Sequence, residues 1–287
     1  MTGSLLYRLY RKSLAAYQRG LHSGSRYCGW YENVIRWSAI SLSFITGLTL
    51  PERSTGGWWW IWRWRFEAQM GWYEPECAAY CRRLISPGST VLDIGGHIGL
   101  YSRLLSGIVG PSGRVIAFEA NPENVAVLRG NLRRRKYRNV EVVWSAVSDR
   151  DGSAKLHVSE GHSNHSLLPG YTGTTTVVEV PMISIDSFLK QRGITRIDFV
   201  KSDTEGAEPL VLRGMEETLR NARELNMLLE YDPRGFHFGG TAPEAFIGAV
   251  KALGFEVKAV LPDGTLGPIP ELKDYDYVNL LCRKPST

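Results

Sequence analysis

Cysteine is scarce in this 287-residue chain: Cys28, Cys77, Cys81 and Cys282 are the only four, and no CxxC pair occurs among them. That excludes a zinc ribbon and the disulfide density of a small secreted domain, and it leads us to expect reduced thiols in a cytoplasmic protein. Cys77 and Cys81 lie four apart, where they share a helix face as small buried hydrophobes rather than as half of a metal site. Long apolar runs are also missing. The best N-terminal candidate, Ser38–Leu50, is short of the ~20 residues that cross a bilayer and carries three serines and two threonines. A secretory leader is not expected, because Arg8, Arg11, Lys12 and Arg19 interrupt the start. No internal repeat, low-complexity tract or nucleic-acid-binding module is present.

Acidic residues are sparse at the front. Residues 1–72 hold nine Lys/Arg against three Glu, so they carry +6 of a net +5, leaving −1 for the rest. Eight of the nine tryptophans, at 30, 37, 58, 59, 60, 62, 64 and 72, sit in the same stretch. Two compositions are joined, and we divide the chain into an extension, 1–72, and a main domain, 73–287. In the extension, Leu5, Leu6, Leu9, Leu14 and Tyr17 gather on one side of a basic amphipathic helix. Further on, Trp60, Trp62, Trp64 and Phe66 alternate with Ile61, Arg63 and Arg65 as a half-buried strand would. Aromatic rings beside cations suit a sugar or polyketide acceptor, or peripheral contact with an anionic membrane surface.

From Pro75 the pattern becomes one of alternating strands and helices. A helix from Pro75 is followed by strand 90–95, helix 98–109, strand 114–119, helix 122–136 and strand 140–147. An extended insertion, 153–159 and 174–185, comes next, separated by the Gly/Ser/Asn/His stretch 159–175. Helix 186–192, strand 196–202, helix 207–221, strand 225–231, helix 243–253 and strand 255–260 follow. Such alternation predicts a parallel sheet with helices on both faces. The last run, "DYVNLLCRK", returns without a helix and is expected to be antiparallel. The fold class is therefore α/β, a doubly wound Rossmann-like sheet of seven strands with an antiparallel last strand.

A dinucleotide fingerprint is absent. "VLDIGGHIGLYS" instead reads D-x-G-x-x-x-G: Asp93 closes an apolar strand, and Gly95, Gly96 and Gly99 make a tight turn, with His97 inside it, at the start of a helix. A pyrophosphate wants a helix N-terminus free of negative charge. An aspartate in that turn suits a cationic ligand, the ammonium and sulfonium of S-adenosylmethionine. The next strand ends in Glu119, where an acid can accept from both hydroxyls of a ribose. Ala120 and Asn121 follow in the same turn, and Ala146 and Val147 after the third strand are placed beside an adenine ring.

These blocks resemble the FkbM-type methyltransferases. The resemblance rests on "YEPE" (73–76), "VLDIGGHIGLYS" (91–102), "FEANPENVAVLRGNL" (118–132), "AVSDRDGSAKLHV" (146–158), "ISIDSFL" (183–189) and "IDFVKSDTEGAEPLVLRGM" (197–215), spanning about 73–260. His97 and Thr204 depart from the family's usual asparagine and hydrophobic residue. The resemblance implies transfer of a methyl group to a hydroxyl, often on a sugar or polyketide-like natural product. It also implies that Tyr73 and Glu74 fold back over the cofactor, and that Asn164, His165 and Ser166 contact cofactor or acceptor.

Methyl transfer to an alcohol needs a base for the leaving proton. Asp203, at the carboxyl end of a buried strand, is the first candidate; Glu205 and His165 are the others. Glu208 reads as a charge at a helix N-terminus, and Glu230, ending the next strand, as an acid able to orient an acceptor hydroxyl. Asp203, Glu205, Glu230, His162 and His165 could ligate a divalent metal, but no spacing compels it and metal dependence is not favoured. The basic run "RRRKYR" at the end of helix 122–136 reads as a solvated face, not a nucleic-acid site. Other readings are a silent module that binds S-adenosylmethionine or a partner, an N-methyltransferase, and a nicotinamide dehydrogenase, against which the glycine spacing argues.

Overall fold

Alternate residues of a strand go to opposite faces, and in the central strands of this chain both faces are apolar. Our computed structural model describes residues 70–159, 164–272 and 277–285, with scattered positions between 9 and 67. Helix α1 (Pro75–Leu84) leads into strand β1 (Thr90–Ile94), helix α2 (Leu100–Val109) and strand β2 (Arg114–Glu119). Helix α3 (Pro122–Asn131), strand β3 (Val140–Trp144), short β4 (Ala146–Val147), β5 (Gly152–Ser159) and β6 (Thr174–Ile183) follow. Then come α4 (Ile185–Arg192), β7 (Phe199–Ser202), α5 (Glu208–Arg213), α6 (Glu216–Asn221), β8 (Leu225–Tyr231) and α7 (Pro233–Phe238). The chain closes with α8 (Pro243–Ala252), β9 (Glu256–Val260), β10 (Leu266–Gly267) and β11 (Val278–Lys284).

The main sheet has the order β10-β9-β11-β8-β7-β1-β2-β3, with β3, β2, β1, β7 and β8 parallel and β11 inserted antiparallel between β8 and β9. The expected doubly wound sheet with an antiparallel last strand is thus the observed one, with two-residue β10 added at its edge. Val91, Val115, Phe199 and Leu228 bury one face against Cys77, Cys81, Tyr101 and Leu105 of α1 and α2. Their sequence neighbours Leu92, Ile116, Val200 and Met227 bury the other against Phe188, Val211, Leu219, Phe236 and Phe246. Cys77, Cys81 and Cys282 are buried free thiols.

Several expected boundaries move, each for a tertiary reason. The strand expected over 140–147 breaks at Ser145, where Ala146 and Val147 leave the main sheet to pair in parallel with Met182 and Ile183 of β6. Together with β5 they form a second, three-stranded sheet, β4-β6-β5. The helix expected over 207–221 is two helices, because the Gly214 backbone lies against Ser148: a Cβ there would meet the Ser148 carbonyl oxygen at 1.8 Å. The helix expected over 122–136 stops at Asn131, and of the basic run only Arg135–Tyr137 forms a 3-10 turn. Helix α7 was not expected; its Asp232 cap, which accepts from Arg234 N, and Pro233 at its first turn are sequence signals for a start.

The strand expected over residues 60–66 falls mostly outside the described residues, and at its described end Phe66 is helical, as is Glu67. Positions 9, 10, 12 and 13 are helical, matching the basic helix expected there. Tyr10 is buried, donates to Glu67 Oε1 at 2.8 Å and packs on the rings of Phe66 and Trp72. No helix among the described residues is long and apolar enough to cross a membrane.

Candidate active site

The carboxyl ends of β1, β2 and β7 open into one cavity of about 120 Å³. Tyr73, Gly95, His97, Glu119, Ala120, Ala146, Val147, His165, Asp203 and Glu205 line it, so ten of the residues expected from sequence converge there. Asn124, Ser145, Leu156, Leu167, Thr204 and Ala207 line it as well and were not expected. A larger groove of about 720 Å³, between α4 and α6, is built from residues that precede β7 and β8. It lies at the amino ends of the strands, where open α/β sheets do not place their ligands.

Glu119 is the most completely positioned acid. It is buried, His97 N donates to its Oε2 and Asn121 N to its Oε1, each at 2.8 Å, and Asn124 Nδ2 reaches Oε1 at 3.5 Å. Burial raises its proton affinity, and these donors oppose the rise. Beside it the departure of Ala146 and Val147 into the second sheet, with Leu156 and Leu167, forms an apolar slot. Asn121 itself does not line the cavity; its side chain caps α3 by accepting from Glu123 N and Asn124 N.

The glycines act chiefly through packing. Gly95 has φ +81°, and a Cβ there would lie 1.8 Å from the Asp203 carbonyl oxygen, so β1 and β7 can bring their ends together only without one. Gly99, at φ +93°, begins α2 beneath Leu128 and stays out of the cavity. His97 takes φ +48°, a left-handed conformation that points its N–H at Glu119.

Asp93 is fully buried and does not line the cavity. Its Oδ2 accepts from Ser102 Oγ, while Oδ1 has no hydrogen-bond partner among the described residues. Burial raises its proton affinity against the pull of Lys201, its register partner on β7. Lys201, 4% exposed, donates from Nζ to Asp203 Oδ2 at 2.9 Å and lies 5.0 Å from the Tyr101 ring centroid. Burial works against its charge, but Asp203, Asp93 and Glu74 outweigh that and make the ammonium hard to deprotonate. Tyr73, Gly95, His97 and Asp203 continue with Gly96, Leu100, Tyr101 and Lys201 into a side chamber of about 40 Å³. Glu74, at φ +41°, stands behind it, accepting from Tyr101 OH at 2.7 Å and Asn279 Nδ2 at 3.2 Å. Burial raises Glu74 first, and Asp203 adds to it.

Glu205 lines the opposite side and is held at both ends. Ser166 does not line the cavity; its Oγ donates to the Glu205 carbonyl oxygen at 2.7 Å. Tyr171 OH lies 3.1 Å from Glu205 Oε2 and 2.7 Å from Asp232 Oδ2. Glu205 itself sits at φ +55°. Burial, then the neighbouring Asp203, pushes its carboxyl well above the ordinary range. Glu208 accepts from the N–H and hydroxyl of Thr204 and is pushed up by burial to about 7. Glu230 is buried without lining the cavity, its Oε2 has no hydrogen-bond partner among the described residues, and burial raises it well above the ordinary range. His165 reaches the cavity while its Nδ1 accepts from Ser159 N at 3.1 Å. Asn164 is not among the lining residues, and His162 lies outside the described residues. Among the described residues no three His, Cys, Asp or Glu converge as a metal site.

A doubly wound sheet with an inserted antiparallel strand, carrying a ligand cavity across the ends of β1, β2 and β7, is the Rossmann-like methyltransferase fold. Residues 93–257, more than half of the chain, match the methyltransferase FkbM domain, and the chain belongs to that family. It is 26% identical over 202 residues to the 2-O-methyltransferase NoeI of Sinorhizobium fredii, covering 65% of this chain and 80% of that protein. With the 31-O-demethyl-FK506 methyltransferase FkbM of Streptomyces tacrolimicus it shares 28% identity over 162 residues, 46% of this chain and 62% of that one. With a protein-L-isoaspartate O-methyltransferase of Methanothrix thermoacetophila it shares 43% over 56 residues, 20% of this chain and only 27% of that protein. A solved FkbM methyltransferase from Methylobacillus flagellatus superposes with TM-score 0.42 at 12% identity, covering 86% of this chain and 60% of that one.

Proposed function

We propose that this chain transfers a methyl group from S-adenosylmethionine to a hydroxyl of a small molecule, a sugar or a glycosylated or polyketide-like natural product. The observation that carries the reading is Glu119: a carboxylate facing the cavity, each oxygen fixed by one backbone N–H, beside an apolar slot of Ala146, Val147, Leu156 and Leu167. Each oxygen keeps acceptor capacity for a ribose hydroxyl, and the slot suits a purine, so the residues present fit an adenosine. When bound, S-adenosylmethionine supplies a methyl on a positively charged sulfur, which an oxygen displaces in line. Two of the relatives support an oxygen acceptor by name, one a 2-O-methyltransferase and one a 31-O-demethyl-FK506 methyltransferase.

The chain's own residues would then orient the acceptor and take its proton. Glu205 is suited to the second task by its place: it lines the cavity with Oε2 beside Tyr171 OH, and in its ionised form the raised proton affinity makes it a stronger base than an exposed carboxylate. His165, which lines the same cavity, would align the acceptor beside it. Loop residues Ser166 and Tyr171 hold Glu205 in place. The test is calorimetry with S-adenosylhomocysteine and with NAD, followed by a labelled-methyl screen of sugar and polyketide acceptors. Binding of the first ligand alone, and label recovered as an alkali-stable ether, are expected. Binding of NAD instead, or label on nitrogen, would overturn the reading.

A further inference from the structure

The adenosine half of the cavity leaves unexplained why a lysine is buried at its other end. Lys201 interrupts the apolar strand β7 and is 4% exposed, yet of its three N–H donors one is accounted for, by Asp203 Oδ2 at 2.9 Å. A buried ammonium that keeps unused donors is costly unless something polar meets them. Its register partner Asp93 accepts from Ser102 at Oδ2 and has no hydrogen-bond partner at Oδ1 among the described residues, so it faces the ammonium as a charge without bonding to it, and Tyr101 offers only a ring face. Lys201 instead lines the side chamber, together with Tyr73, Gly95, Gly96, His97, Leu100 and Tyr101. Asp203 borders the same chamber, with a side chain 23% exposed. A cation and an anion thus stand side by side in a chamber that shares walls with the cavity that fits a nucleoside.

We propose that the Lys201–Asp203 pair reads the amino-acid terminus of the methyl donor, Lys201 receiving the α-carboxylate and Asp203 the α-ammonium. The inference rests on the S-adenosylmethionine reading above and deepens it. One zwitterion faces another, so each charge that enters finds its opposite and the buried pair loses no partner. The pair makes the site selective for nucleosides with an intact amino acid, against 5′-methylthioadenosine, which has none, and against decarboxylated S-adenosylmethionine, which keeps only the ammonium. A lysine that merely neutralised Asp93 and Asp203 would give no such selectivity.

Calorimetry on the full chain separates these cases. Wild type is expected to bind S-adenosylmethionine roughly 10- to 100-fold more tightly than its decarboxylated form, the value of a buried charge-assisted contact. Lys201→Met is expected to lose affinity for S-adenosylhomocysteine by a similar factor and to leave 5′-methylthioadenosine affinity within about twofold, collapsing the ratio between them. An equal loss for both ligands, or an unchanged ratio, would overturn the proposal. Should Lys201→Met fail to fold, Lys201→Gln keeps a donor for Asp203 and is read the same way. Equal affinity of wild type for S-adenosylmethionine and its decarboxylated form would overturn it without any variant. If wild type binds no adenosyl ligand at all, the cofactor reading itself falls and this inference with it; binding of all of them without discrimination leaves the cofactor reading standing and removes the inference alone.

Discussion

Glu119 is buried and Glu205 half-buried, both at the carboxyl ends of strands, but their surroundings give them different work. Glu119 has a backbone N–H on each oxygen, which fixes the plane of the carboxylate for a diol. On the proposed reading, Glu119→Ala weakens S-adenosylhomocysteine binding by roughly 10- to 100-fold, two contacts to a charged acceptor being lost. Calorimetry that found an unchanged affinity would remove the ribose assignment. Glu205 has a phenol and a raised proton affinity instead. Glu205→Gln should keep donor affinity and lower methyl transfer to an identified acceptor by about 10²- to 10⁴-fold; a fall in affinity without a fall in turnover would contradict that role. Glu208 gives a prediction about stability. Its folded-state value of about 7 stands above the ordinary 4.5. The stabilisation it contributes is therefore complete below about 4.5 and is lost as pH rises through about 7, up to ~3 kcal/mol across that window. Urea unfolding of wild type should show stability falling with pH there, and Glu208→Gln should flatten the fall. Glu205 and Glu230 carry the same sign and keep some slope; parallel curves would exclude the assignment to Glu208.

At the scale of elements, the periodicity of "TVLDI" and "RVIAFE" was enough to place β1 and β2, because a strand buried on both faces is apolar throughout and needs no partner to be recognised. Breaks inside elements were not legible. Ser145 ends β3 because Ala146 finds Met182 across the chain, and Gly214 ends α5 because Ser148 stands against it; neither partner is near in sequence. The site divides in the same way. Gly95, Glu119 and Asp203 belong to a local strand-and-turn grammar, and their positions could be read, whereas Asp93, expected beside the ligand, is buried away from the cavity. Lys201 sits inside "FVKS", where one cation in a short strand gives no pattern, and Tyr171 lies in a loop whose target, Asp232, is 61 residues away. The Gly214 contact yields its own prediction. Gly214→Ala places a Cβ on a backbone oxygen that cannot swing aside, so the Ser148 turn and the α5–α6 junction must part, costing about 1–3 kcal/mol or somewhat more. The denaturant midpoint should drop, whereas Gly130→Ala, on α3 with nothing within 4 Å of the added Cβ, should not lower it.

At the scale of the whole molecule, the charge asymmetry and the cavity meet at one place. Tyr10 of the basic N-terminal stretch is buried against Phe66, Glu67 and Trp72, and Trp72 adjoins Tyr73, which walls both the main cavity and its side chamber. The extension is thereby joined to the edge of the site, while Leu9 and Trp37 remain exposed at 53% and 63%. We propose that this basic, tryptophan-rich extension rests on an anionic lipid surface. Each basic residue near such a surface contributes about 1 kcal/mol, and the attraction fades within a Debye length. The full chain should therefore sediment with phosphatidylserine-containing vesicles at low salt, release as salt rises, and ignore neutral vesicles. Replacing Arg8, Arg11 and Lys12 by glutamate should weaken that association at least ~100-fold while S-adenosylhomocysteine affinity stays the same. Equal binding to neutral and anionic vesicles, or indifference to the three replacements, would leave the tryptophan-rich segment to the acceptor alone.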